Sequence, residues 1–167
     1  MAYNPDEALK LENQLCFPLY AAARRVMGIY TPYLKPLGLT YTQYIVFLVL
    51  WEEDSIPVSE IGDRLLLDSG TLTPLLKKME KAGYLTRTRS SQDERSVIVS
   101  LTDEGRAMKE KVSDIPRQLV KCITIPREET VQLYLTLYRL LGLELPEGVR
   151  EKIKDVKNIH EINNAVE

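Results

Sequence analysis

Residues 69–101 constrain the fold of this chain more than any other stretch. Leu72, Leu75, Leu76 and Met79 fall at i, i+3, i+4 and i+7, which lays one apolar stripe along a helix and obliges it to face a core. At about 100° per residue the opposite side carries Gly70, Thr73, Pro74, Lys77 and Lys81. Ser69 reads as the cap of this helix and Lys81-Ala82-Gly83 as its stop. Tyr84 to Arg89 and Ser96 to Leu101 read as two strands around the polar loop Ser90 to Arg95. A helix, a stop, a basic strand, an Asp-x-Arg loop and an apolar strand, in that order, describe a winged helix-turn-helix. The expected fold is mainly α with a small β-hairpin wing.

The flanking segments are helical. Asp6 to Tyr33 reads as one long helix, with Leu11, Leu15, Leu19, Ala22, Ala23, Val26, Ile29 and Tyr30 recurring at intervals of three and four. Pro18 predicts a kink or local break in it near Cys16. Thr42 to Glu52 and Val58 to Leu66 are two further helices leading to the one at 69. Thr102 starts another, with a break expected at Pro116, and Pro126-Arg127 opens a last regular helix to Leu141. The terminal helices carry more apolar surface than one small domain needs, so they are expected to pair with a second copy of the chain. The expected regions are 1–36, an N-terminal dimerisation and sensing helix; 37–103, the winged helix-turn-helix; 104–145, C-terminal dimerisation helices; and 146–167, a charged, partly helical tail of no assigned role.

Composition narrows the functional classes. With 22 Lys+Arg against 24 Asp+Glu the chain is nearly neutral, yet residues 69–96 hold a local excess of three positive charges. A helix that enters a major groove needs small or polar residues at its exposed start and cations further along for phosphates. Ser69, Gly70, Thr71, Thr73 and Pro74 followed by Lys77 and Lys78 meet that requirement, and Arg89 continues the basic surface into the hairpin. Arg95, at the far end of the loop, is placed for a minor groove or a phosphate, with Asp93 expected to orient its guanidinium. The expected partner is therefore double-stranded DNA. Two cysteines and one histidine cannot supply four ligands for a structural zinc site, and no cofactor is indicated. The longest apolar runs are too short to span a bilayer and no signal segment is evident, so a cytoplasmic location is expected.

The residues 68–79, Asp-Ser-Gly-Thr-Leu-Thr-Pro-Leu-Leu-Lys-Lys-Met, resemble the MarR family of regulators, together with the Asp93-x-Arg95 loop and Leu101-Thr-Asp-Glu-Gly105. Leu-Asp-Ser-Gly-Thr-Leu-Thr-Pro is narrower and is similar to the thiol-based peroxide-sensing, OhrR-type branch. The resemblance covers about residues 9–141. It implies a homodimeric repressor, not an enzyme, that sets one recognition helix on each half-site of a near-palindromic operator.

The same branch resembles this chain over Leu11-Glu-Asn-Gln-Leu-Cys16-Phe17, which implies that Cys16 reacts with organic hydroperoxides as the inducer. That chemistry needs a thiolate and hydroxyl donors to hold it. Tyr20 lies one helical turn after Cys16. Tyr30 lies fourteen residues on, about 21 Å along a continuous helix. Geometry and resemblance together predict that Tyr30 and Tyr41 reach Cys16 of the partner subunit. Taken alone, a cysteine on an apolar helix face is most often a small buried hydrophobe and tyrosines are core aromatics. The matching spacing of all four favours the sensor. Cys122 falls where a two-cysteine subclass carries a resolving thiol, implying an intersubunit disulfide with Cys16. The remaining readings are a regulator released by a small aromatic ligand, with both cysteines bystanders, and a thiol peroxidase.

Overall fold

Thr40 starts the helix around which most of the chain is built. Its hydroxyl accepts the Gln43 backbone N–H at 3.3 Å, and Gln43 Oε1 accepts the Thr40 N–H at 2.8 Å. This reciprocal cap fixes the start of α3 (Tyr41–Glu52) one residue before the expected Thr42. Tyr44, Val46, Phe47, Val49 and Leu50 are all buried, so α3 is covered around most of its circumference. The computed structural model describes residues 4–93, 95–120, 122, 125–151 and 153. It divides into two units, Met1–Cys122 and Ile123–Glu167.

The first unit begins with α1 (Pro5–Ala8) and a 3-10 turn at Leu11–Asn13, followed by α2 (Cys16–Leu34) and a second 3-10 turn at Lys35–Leu37. After α3 come β1 (Ile56–Pro57), α4 (Val58–Leu65), α5 (Ser69–Lys81), β2 (Leu85–Arg89), β3 (Val97–Leu101), α6 (Asp103–Val112) and α7 (Ile115–Val120). The strands form an antiparallel sheet in the order β1-β3-β2, with Leu85 opposite Leu101, Arg89 opposite Val97 and Ile56 opposite Val99. Leu72, Leu76 and Met79 of α5 join Ile61, Leu85, Val99, Leu101 and Met108 in one core. The expected winged helix-turn-helix is thus present, with α2 packed against α3 and α7. The residues assigned to 1–36, 37–103 and the start of 104–145 are accordingly parts of one unit.

Several boundaries differ from expectation for physical reasons. The helix expected over Asp6 to Tyr33 has the local break expected near Cys16, and it falls just before that residue rather than at Pro18 itself. Pro18 is the third residue of α2, where no intrahelical partner exists for a backbone N–H, so the ring is tolerated and the helix runs on to Leu34. Pro116 is likewise in the first turn of α7, and the break falls ahead of it at Ser113-Asp114. Asp68, not Ser69, caps α5. A third strand, β1, joins the two expected strands of the hairpin.

The Leu101-Thr-Asp-Glu-Gly105 segment has a steric explanation. Thr102 accepts the Gly105 N–H at 3.1 Å to cap α6, and donates its hydroxyl to the Gly83 carbonyl at 2.6 Å. A Cβ at Gly105 would collide with the Tyr84 carbonyl oxygen, so only glycine lets α6 lie this close to the approach to β2. Trp51 Nε1 donates to the Gly105 carbonyl at 3.1 Å, tying α3 to the same corner.

In the second unit, α8 (Arg127–Leu140) is capped by Pro126 and carries a stacked pair, Tyr134 and Tyr138, with ring centroids 4.9 Å apart. Their hydroxyls lie 3.4 Å apart, and that hydrogen bond, with burial, pushes Tyr134 up to about 12. Leu133, Leu140, Leu141 and Leu143 are exposed. Of the tail expected at 146–167, residues 146–151 and 153 are described and the rest lies outside the described residues. Among the described residues no helix is long and apolar enough to cross a membrane.

Candidate functional site

The start of α5 is shaped by Asp68. Its Oδ1 accepts the Thr71 N–H at 2.9 Å and its Oδ2 accepts the Thr71 hydroxyl at 2.8 Å. The Thr71 hydroxyl first, then the Thr71 N–H, hold the Asp68 carboxyl below its ordinary range. The Thr71 hydroxyl proton is therefore used within the chain, leaving that oxygen as an acceptor toward solvent. A Cβ at Gly70 would stand 2.9 Å from Asp68 Oδ1 and push that carboxylate aside, so glycine leaves room for the cap. Ser69, Gly70, Thr71, Pro74, Lys77 and Lys78 are exposed, and Thr73 is half-buried. The apolar stripe on the other side of α5 leaves this polar, cationic face outward.

The hairpin loop is held by its own backbone. Ser90 N–H donates to the Ser96 carbonyl, and Ser96 N–H to the Asp93 carbonyl, both at 2.9 Å. Asp93 Oδ1 accepts the backbone N–H of Arg95 at 3.0 Å. Asp93 thus forms the turn that presents Arg95; it does not grip the guanidinium as expected. Glu94, counted in the local charge, lies outside the described residues. Arg89 and Arg95 are exposed. A hollow of about 250 Å³, lined among others by Thr73 of α5 and by Arg95 and Val97 of the hairpin, sets helix and wing around one space.

The thiol candidates lie elsewhere. Cys16 is the first residue of α2 and Cys122 follows α7; both are exposed free thiols. The Cys122 thiol donates to the Gln118 carbonyl at 3.8 Å and borders a hollow of about 420 Å³ with Tyr33, Asp114, Arg117 and Gln118. Tyr20 does not hydrogen-bond to Cys16: its hydroxyl accepts from Arg24 at 3.4 Å, and the Arg24 guanidinium sits 5.5 Å from its ring centre.

Tyr30 and Tyr41, by contrast, are brought together, edge to face with centroids 4.9 Å apart. Tyr44, which was not among the expected site tyrosines, completes a cluster at 5.6 Å from Tyr30 and 6.5 Å from Tyr41. Its signal was its place one turn after Tyr41. Burial, then the neighbouring hydroxyls, raise Tyr41 and Tyr44, and burial raises Tyr30. All three therefore keep their protons at neutral pH and can donate. Since α2 runs unbroken from Cys16 to beyond Tyr30, the cluster stands about 21 Å along the axis from the thiol of its own chain.

A sequence profile of SarA/Rot transcriptional regulators matches residues 28–112. The chain is 49% identical, over 83% of its length and 94% of the relative's, to the organic hydroperoxide resistance transcriptional regulator of Bacillus subtilis (strain 168). It is similar in structure to AbfR of Staphylococcus epidermidis. Against reduced AbfR bound to DNA the TM-score is 0.68 at 38% identity, covering 83% of this chain and 96% of AbfR. Against disulfide-formed AbfR the score is 0.54 at 38% identity, covering 82% and 96%. The chain belongs to the MarR family of transcriptional regulators, with the SarA/Rot type of DNA-reading region.

Proposed function

We propose that this chain is a homodimeric repressor that binds a near-palindromic operator when reduced and releases it when an organic hydroperoxide oxidises Cys16. The observation that carries the reading is the Tyr30–Tyr41 pair, which stands too far along an unbroken α2 to reach Cys16 of its own chain. The terminal apolar surface supports such a subunit: Leu15 is 71% exposed and Leu140 61%. A relative whose reduced form is bound to DNA, and which also has a disulfide form, supports it.

In the first step the Cys16 thiolate attacks the O–O bond of the hydroperoxide. An S–O bond forms, the O–O bond breaks, and the departing alkoxide takes a proton to leave as the alcohol. Tyr30 and Tyr41 of the partner donate to the thiolate and to the sulfenate that follows. The Cys122 thiol of the other subunit then attacks the sulfenic sulfur, forming the disulfide and releasing water. DNA leaves because the bond draws the two recognition helices off their half-site spacing. The DNA-reading residues are Ser69, Gly70, Thr71, Thr73, Pro74, Lys77, Lys78, Arg89 and Arg95, with Asp93 shaping the turn.

Treatment with cumene hydroperoxide should release wild-type protein from DNA and leave a Cys16→Ser variant bound. Release of that variant at the same peroxide concentration would refute the reading. Non-reducing electrophoresis should show a covalent dimer for wild type and none for Cys122→Ser.

A further inference from the structure

One ion pair stands between the helix and the wing. Glu80 is the penultimate residue of α5 and Arg87 the middle residue of β2. The Glu80 carboxylate accepts three hydrogen bonds from that one residue: Arg87 Nε at 2.9 Å and Nη2 at 2.8 Å on Oε2, and the Arg87 backbone N–H at 3.1 Å on Oε1. β2 is an edge strand, so this N–H faces away from β3 and would otherwise be open. The pair is mostly covered, with 22% of the Arg87 side chain and 35% of the Glu80 side chain exposed. A half-buried pair in which two guanidinium donors share one carboxylate oxygen while the other caps strand backbone is geometrically far more defined than a surface ion pair.

Its position gives it leverage. From Arg87 the paired strand runs on to Ser90, about 10 Å, before the loop turns back. A tilt of roughly 10° at Arg87 displaces the base of the loop by about 2 Å over that length, enough to take a side chain out of hydrogen-bond range of DNA. Arg87 is also neutralised by the contact, although its sequence places it among the basic residues of the wing. Resting on the DNA-binding reading, we propose that Glu80 and Arg87 are a positioning pair that locks the wing to the recognition helix. The two elements then read DNA as one rigid body, and Arg87 itself makes no phosphate contact.

The test uses the full chain and a 30-base-pair duplex enriched from a random pool by the wild-type protein, with affinity measured by fluorescence anisotropy at several salt concentrations. Arg95→Ala should lose about tenfold. Glu80→Ala, Arg87→Ala and Arg87→Lys should each fall to that same level, because lysine keeps the charge and loses the fork. Combining any of them with Arg95→Ala should cost less than a further twofold and leave the salt slope of Arg95→Ala unchanged. Additive losses, near-wild-type binding by Arg87→Lys, or tighter binding by Glu80→Ala would overturn the proposal. So would a drop in slope of about one when Arg87→Ala is added to Arg95→Ala, since that marks a phosphate contact. Arg87→Lys keeps bulk and charge, so it also separates positioning from failure to fold. If the wild type enriches no duplex, the DNA-binding reading fails, and this pair's role with it.

Discussion

The tightest constraint at any single residue is the hydrogen at Gly105. The Tyr84 carbonyl that a methyl group would strike also accepts the Thr102 N–H at 3.1 Å, so it cannot retreat without opening the α6 cap. Leu101 Cδ2 would stand 3.0 Å from the same methyl. Gly105→Ala is therefore expected to lower stability by about 3 kcal/mol, the upper range of overpacking, as read from the urea midpoint. Asp68 gives a pH signature. Its carboxyl is held below the ordinary value by Thr71, so its contribution is present above the unfolded carboxylate range and is lost as pH falls through the depressed folded value. Below about pH 4 this cap weakens. Asp68→Asn retains an acceptor for the Thr71 N–H but does not titrate. Urea unfolding at pH 5 and pH 3 should show a smaller acid loss in the variant, and an equal loss would assign acid sensitivity to other groups.

Among the elements, α5 divides its labour by face. Three buried apolar residues anchor it, and Lys77 and Lys78 are left outward. Lys77→Ala should weaken DNA binding about uniformly across duplex sequences and lower the salt slope by about one, whereas a base-reading role would change sequence preference. α5 and the wing were legible in the sequence because helix period, stop and strand alternation are local properties that tertiary packing here reinforces. What escaped was geometry between near neighbours. Asp68 and Ser69 are both good caps, and only the backbone path selects Asp68. Pro18 and Pro116 mark the first turns of helices, where proline costs little, so the breaks lie upstream of both. β1 is two residues long, too short for any periodicity. The Tyr30–Tyr41 meeting was expected only through the partner's cysteine; that the two rings touch each other, and that Tyr44 joins them, depends on the angle between α2 and α3, which no spacing encodes.

At the scale of the whole molecule the central question is whether the sensor belongs to one chain or two. An unbroken α2 holds Cys16 and the Tyr30–Tyr41 pair apart within one chain, so the proposed function requires that each chain supply the tyrosines for its partner's thiol. Mixed dimers decide this directly. One protomer carries Cys16→Ser with its tyrosines intact; the other carries Tyr30→Phe and Tyr41→Phe with its cysteine intact. In a homodimer of the first no sensing thiol remains. In a homodimer of the second the thiol lacks its donors and should react with cumene hydroperoxide at least about tenfold more slowly, the loss of roughly one charge-assisted hydrogen bond. In the heterodimer, isolated through two different affinity tags, the remaining Cys16 faces the intact tyrosines of its partner. It should react at the wild-type rate, one fast thiol per dimer, in a stopped-flow assay of thiol loss. If Cys16 is instead served by tyrosines of its own chain, the heterodimer will show only the slow phase.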